Sequence, residues 1–360
     1  MKKKLALALV FVMGLSFTAC GKTTVSDSTN EAVSGGVQST DTNEDKESSG
    51  KSDKTTITFI NGFTGGDGEY MTKIVDGFNE SQSDYYIEQL QDADHYTKFK
   101  SGDFDMLIIH ADWISTYHAM GLLREVSDIY DMAGISFEND FHDITKTYAK
   151  YDDGVFAFPL DLYAETTFYN KEYTDEAPKD YNDMIELRDK LDSENSGIYP
   201  YGLPLTGDQQ WAWMTALGQC GVNWVEDEHI KLDTEEACDA FMKIHDMIYK
   251  DHLSPAGLGA DDHFNTFISQ SETAANVKTV VSMTGPWKYT VAKEVLGDNL
   301  GIGTVPQIYG DKKCVPAGGH TFGVSSKVTD EKKIAGIAAF MKYTYQPDVL
   351  LNWADSGQAP

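Results

Sequence analysis

From about Lys54 onward the chain alternates between two hydrophobic periods. Ile57 and Phe59 alternate with threonines as in a strand, residues 61–68 are glycine-rich, and Met71, Ile74, Val75 and Phe78 recur at the spacing of one helix face. The pattern predicts strand, loop and helix, with Asp67 placed as an N-cap and glycines that let a ligand approach backbone N–H groups. Residues 106–109 form a short unbroken apolar run, as expected of a strand buried on both faces. They lead through His110-Ala111-Asp112-Trp113 into a helix closing at Gly121. Two strands thus aim their loops the same way, toward the crevice where open α/β sheets bind ligands.

Tyr151-Asp152-Asp153-Gly154 predicts a hairpin leading into Phe156, Phe158 and Pro159. Helices then dominate residues 181–285: 184–191, a stretch around Trp211, and one opened by Asp233 with Glu236 three residues on, whose Phe241, Ile244 and Ile248 form a stripe. Residues 280–283 read as a buried strand, with Pro286 suited to the first turn of the next helix. Strands follow at 301–306 and 321–325, then a helix at 331–345 stopped before Pro347. No internal repeat is present.

The N-terminal segment carries a different signal. Lys2, Lys3 and Lys4 precede an uncharged run of about 13 residues, shorter than the ~20 needed to span a bilayer, so residues 1–20 read as a signal peptide. The run ends in Phe17-Thr18-Ala19-Cys20-Gly21, which resembles a bacterial lipobox and makes Cys20 the expected lipidation site. Residues 21–54 are polar, without aromatic, Leu or Ile, and are expected to be a disordered tether; by the ~5–6 Å × √n rule it would span about 30 Å. The expected location is the cell membrane, lipid-anchored and facing outward.

With 360 residues the chain has room for two domains, and 57 acidic against 29 basic side chains give a net charge of −28. Such an excess repels phosphate backbones and anionic headgroups, arguing against a nucleic-acid binder. The four cysteines show no zinc spacing; Cys220, Cys238 and Cys314 are expected to be buried thiols, with a Cys220–Cys238 bridge possible. No HExxH, GxSxG, P-loop or complete GxGxxG occurs, and the histidines are scattered singly, so no enzyme is expected, and neither metal nor cofactor. Tryptophans stand at predicted element ends: Trp113, Trp211 and Trp213, and Trp287. Flat aromatic faces stack on sugar C–H faces while carboxylates take the hydroxyls. Trp211 and Trp213, two apart on a helix, point to different faces, and Trp211 is the expected ligand contact.

Six blocks, at 57–81, 105–123, 154–173, 201–218, 280–289 and 318–326, occur in an order that resembles the family 1 extracellular solute-binding proteins. This is the maltose-binding type serving carbohydrate ABC importers. The resemblance implies a two-lobed α/β fold with a hinge, lobe 1 being 55–162 and 303–360 and lobe 2 being 163–302. It implies a monomeric receptor that takes a sugar, expected to be an oligosaccharide, to an ABC permease. Asp112 stands where the family holds sugar hydroxyls, and Trp113 where the maltose-binding type has arginine. Tyr163 occupies a position acidic in that type. Asp208 and Trp211 match second-lobe polar and aromatic positions, and Trp287 the sugar-stacking tryptophan. Phe63, Thr64 and Asp67 lie in the first-strand loop, which commonly contacts ligand; His320 is either a ligand contact or a buried structural imidazole. Family members continue beyond the motif ending at Gly357-Gln358-Ala359-Pro360, so the C-terminus is expected to be truncated, leaving apolar surface bare on lobe 2. Two alternatives share the aromatic and acidic residues: a receptor for a cationic, polyamine-like solute and a secreted glycoside-processing enzyme.

Overall fold

A computed structural model describes residues 54–360, apart from 65, 152, 195, 207–208, 227–228, 260 and 270–276. The signal peptide with Cys20, all of the tether but Lys54, and Asp208 lie outside the described residues. Among the described residues no helix is long and apolar enough to cross a membrane.

Two sheets organise the chain. The first has the order Tyr85–Gln91, Thr55–Asn61, Met106–His110, His320–Val324, Phe158–Pro159; its first three strands are parallel, and His320–Val324 runs antiparallel to both neighbours. Met106, Leu107, Ile108 and Ile109 are all buried, as a central strand covered on both faces requires. Helices Gly68–Ser81 and Glu331–Thr344 pack on this sheet through Met71, Ile74, Phe78, Ile337 and Phe340. The second sheet has the order Leu300–Gly303, Thr166–Asn170, Lys278–Thr284, Ile198–Gly202. Its core takes Met184 and Leu187 from Tyr181–Ser193, and Ala240, Ile244 and Met247 from Glu235–Tyr249.

Local chemistry sets several helix starts. Asp180 accepts from the backbone N–H groups of Asn182 and Asp183, Asp330 from those of Lys332 and Lys333, and Thr234 from that of Ala237. Thr234 thus holds the cap that the sequence pattern assigns to Asp233. Residues after Pro347 form a further helix, Pro347–Ala354, because a proline in the first turn gives up an N–H that has no helical partner anyway. Trp353 on that helix is completely buried in the first core.

The chain crosses between the two bodies at Tyr163–Ala164, which pairs antiparallel with Ala317–Gly318; Leu162 also bridges Ala359. Ile308 and Tyr309 are buried in the second core and Gln219 donates to the Pro306 carbonyl. Ile308 and Tyr309 thus pack with the second sheet, and Ala317–Gly318 rejoins the crossing strand. The cysteines also differ from expectation: Cys238 and Cys314 are exposed, Cys220 is half-buried, and all three are free thiols.

Candidate functional site

The loops after the two parallel strands open into a cavity of about 700 Å³ between the sheets. Asn61, at the end of its strand, accepts the Phe63 N–H with its side-chain oxygen and so turns the loop. Gly62 is required there: a Cβ would come within 2.4 Å of the His95 ring. Phe63 lines the cavity and is buried against His320 and Trp353, while Thr64, also in the lining, is exposed. Asp67 occupies the N-cap position of Gly68–Ser81 but its carboxylate caps no N–H, and it lines the cavity instead. Asp112 lines it too, from the first turn of Ala111–Ala119. Burial pushes both carboxyl groups above the usual Asp range.

Aromatic faces come from the other body. Trp287 follows Lys278–Thr284 through Gly285, and Trp211 sits in the first turn of Gln209–Gln219. Their ring centroids lie 5.6 Å apart. Tyr163, on the crossing strand, meets Trp287 edge to face at 5.3 Å and Trp211 at 6.1 Å. Trp213 turns away and packs edge-on against Phe241, as its helical spacing from Trp211 requires. Trp113 lies at the other side of the cavity, stacked on Tyr96 at 5.2 Å and 41% exposed.

His320 and His110 face each other directly in the antiparallel ladder, with ring centroids 4.8 Å apart. His320 is buried and bound through Nδ1 to Asp161 at 2.9 Å; Asp161 also accepts from the Trp353 indole N–H at 2.9 Å and the His320 backbone N–H at 2.8 Å. His320 is thus both a cavity-lining group and an imidazole fixed by structure. The Tyr96 hydroxyl accepts the His110 backbone N–H at 2.9 Å and lies 2.5 Å from its Nδ1. Burial, together with the His320 and His95 charges, pushes His110 down to about 3, so its ring is neutral at physiological pH.

Nine of the ten expected ligand contacts therefore line one cavity, and the tenth, Asp208, is outside the described residues. His95, Tyr96, His110 and Gln358 line it as well, without having been singled out by sequence. Among the described residues, neither ring nitrogen of His95 and neither amide atom of Gln358 has a hydrogen-bond partner, although both side chains are at least 95% buried. In the sequence these groups are isolated. Only strand register, and the return of the C-terminal segment beside Leu162, puts them together. Lys288 is the one lysine or arginine among the described lining residues, and Asp261 holds its ammonium at 2.8 Å.

A family model described as bacterial extracellular solute-binding protein matches residues 73–360. The sn-glycerol-3-phosphate-binding periplasmic protein UgpB of Rhizobium meliloti (strain 1021) is 23% identical over 331 residues, covering 82% of this chain and 72% of that protein. The maltotriose-binding protein of Pyrococcus abyssi is 24% identical over 265 residues, 71% of this chain and 54% of that protein. Among solved structures, maltose-bound MalE3 of T. maritima superposes with a TM-score of 0.70 at 19% identity, covering 85% of this chain and 81% of that one. The fold is thus that of two-lobed binding proteins.

Proposed function

From the chain's membership of the bacterial extracellular solute-binding proteins, non-enzymatic receptors of ABC importers, we propose that it captures a neutral sugar, an oligosaccharide, between its lobes. The related proteins carry names for both a glycerol phosphate and a maltotriose, so the ligand has to be argued from the cavity.

One observation carries the reading. Trp211, Trp287 and Tyr163 converge on one side of a cavity whose other walls supply Asp67, Asp112 and the neutral His110 imidazole, while its lone described lysine is already neutralised by Asp261. Apolar ring faces and hydroxyls suit that division; a phosphate would meet two carboxylates and, among the described residues, no free cation. Trp113, stacked on Tyr96 across the cavity, offers a second aromatic platform and supports a ligand of more than one ring. The volume falls within the roughly 300–1,000 Å³ of small-molecule sites.

Lobe 1 is the body built on the first sheet and lobe 2 the body built on the second, joined at the crossings beside Tyr163 and Gly318. Ligand touching both lobes favours the closed arrangement by its differential affinity, and the permease reads that shape. Cys20 carries the lipid anchor, residues 21–54 tether the monomeric receptor, and it works on the outer side of the membrane. A cationic solute is the second reading, favoured by Asp67 and Asp112 beside aromatic rings.

Thermal-shift measurements with neutral oligosaccharides, spermidine and sn-glycerol 3-phosphate test the reading. A sugar at a hundred times its Kd adds about 2.7 kcal/mol of stability. A rise with spermidine or glycerol phosphate, and none with sugars, contradicts it.

A further inference from the structure

We infer that His110 and His320 form a single-hydroxyl clamp of fixed polarity, one ring donating and the other accepting, with Tyr96 and Asp161 as the positioning residues that set that polarity. The inference rests on the sugar-receptor reading and adds which end of the cavity selects the ligand, and by what chemistry.

The polarity follows from counting protons. The Tyr96 hydroxyl accepts the His110 backbone N–H, and among the described residues Nδ1 of His110 is the only acceptor for its own proton. With the Tyr96 proton given to Nδ1, a neutral His110 carries its hydrogen on Nε2. His320 is set the other way. Its Nδ1 faces both oxygens of the Asp161 carboxylate, at 3.0 and 2.9 Å, and a carboxylate can only accept. With a single ring hydrogen, held on Nδ1 by the carboxylate, Nε2 is the acceptor.

The two rings are cross-strand partners with centroids 4.8 Å apart, and both line the cavity. A donor and an acceptor side by side fit a group that both accepts and donates at one atom, which a hydroxyl does. A phosphate, carboxylate or carbonyl oxygen would set a lone pair against the lone pair of His320, and an ammonium would set a hydrogen against that of His110. The pair thus selects by mismatch as well as by attraction. His95, whose ring centroid lies 6.5 Å from that of His110, and Gln358, which lines the same cavity, have buried polar atoms with no partner among the described residues and extend the polar surface available to ligand hydroxyls.

Tautomers are measurable without knowing the ligand. Long-range ¹H–¹⁵N correlation spectra of the ¹⁵N-histidine-labelled full chain at pH 7.5 should show His110 with its proton on Nε2 and His320 with its proton on Nδ1. A panel of maltotriose, cellobiose, xylobiose and raffinose is then titrated by calorimetry and by the same spectra. The sugar that binds should move the Nε2 signals of both rings together. Tyr96→Phe, with its melting temperature checked, should lose the fixed His110 tautomer and bind that sugar about tenfold more weakly, the equivalent of one hydrogen bond. The same tautomer on both rings, a bound sugar that leaves one ring unmoved, or unchanged affinity in the Tyr96→Phe variant overturns the clamp alone. A panel in which no sugar gives heat counts against the receptor reading and the clamp with it.

Discussion

Asp112 and Trp287 line the same cavity although they are carried by different sheets, Asp112 on the helix that follows Met106–His110 and Trp287 just beyond Lys278–Thr284. A carboxylate from one lobe thus shares a wall-to-wall space with an indole from the other. Neither lobe alone presents both halves of that surface, and this makes ligand binding and lobe closure one equilibrium.

The aromatic cluster separates binding from stability. Trp287→Ala and Trp211→Ala should each weaken sugar binding by about 2 kcal/mol, roughly thirtyfold. Trp213→Ala, whose ring packs on Phe241 outside the cavity, should lower the melting temperature without changing affinity. Calorimetric titration beside thermal melts distinguishes the two; equal affinity losses at all three positions would remove the distinction between lining and packing tryptophans.

Gly285 controls Trp287 by shape alone. Its φ of −87° is ordinary for any residue, but a Cβ would sit 1.8 Å from the Trp287 ring. Gly285→Ala must displace the indole, so it should reproduce the affinity loss of Trp287→Ala while costing about 1–3 kcal/mol of stability from overpacking. Sugar titration and denaturant unfolding of the variant check both effects.

Glu165, just past the crossing strand, is buried and accepts the Thr215 hydroxyl at 2.5 Å; burial raises it to about 7. Between its ordinary value near 4.5 and about 7 the folded chain holds a proton that the unfolded chain has released. Its contribution is therefore fully present below pH 4.5 and is lost as pH rises through 7, a change of about 3 kcal/mol. His110 acts with the opposite sign: its folded value is depressed to about 3, so its contribution falls away as pH drops below the ordinary histidine range. Glu165→Gln isolates the first effect. The variant should match wild type near pH 4.5 and exceed it above pH 7, as read from urea unfolding at each pH.

How much of this was legible in the sequence depended on whether a feature was local. The helix face of Met71, Ile74, Val75 and Phe78 and the buried run from Met106 to Ile109 are periodic signals, and both elements formed where the pattern placed them. The opposed faces of Trp211 and Trp213 follow from helix geometry in the same way. Asp67 stands at the predicted helix entry, yet with its carboxylate uncapped and turned to the cavity, a choice of rotamer that spacing does not encode. The facing of His110 and His320 depends on a register between strands far apart in the chain, and the Gln358 contact on the C-terminal return. Neither leaves a periodic trace. The helix after Pro347 was hidden by the proline that starts it.

The central claim is that a neutral sugar, and no charged solute, bridges the acidic and imidazole-bearing lobe and the indole-bearing lobe. Its most direct test is calorimetric titration of ligand-free protein with maltotriose and the other neutral oligosaccharides, set against sn-glycerol 3-phosphate and spermidine, in wild type and Trp287→Ala. The account predicts saturable heat from a neutral sugar alone, with affinity falling in the variant. Saturable binding of the phosphate or the polyamine, with none of the sugars, would contradict it.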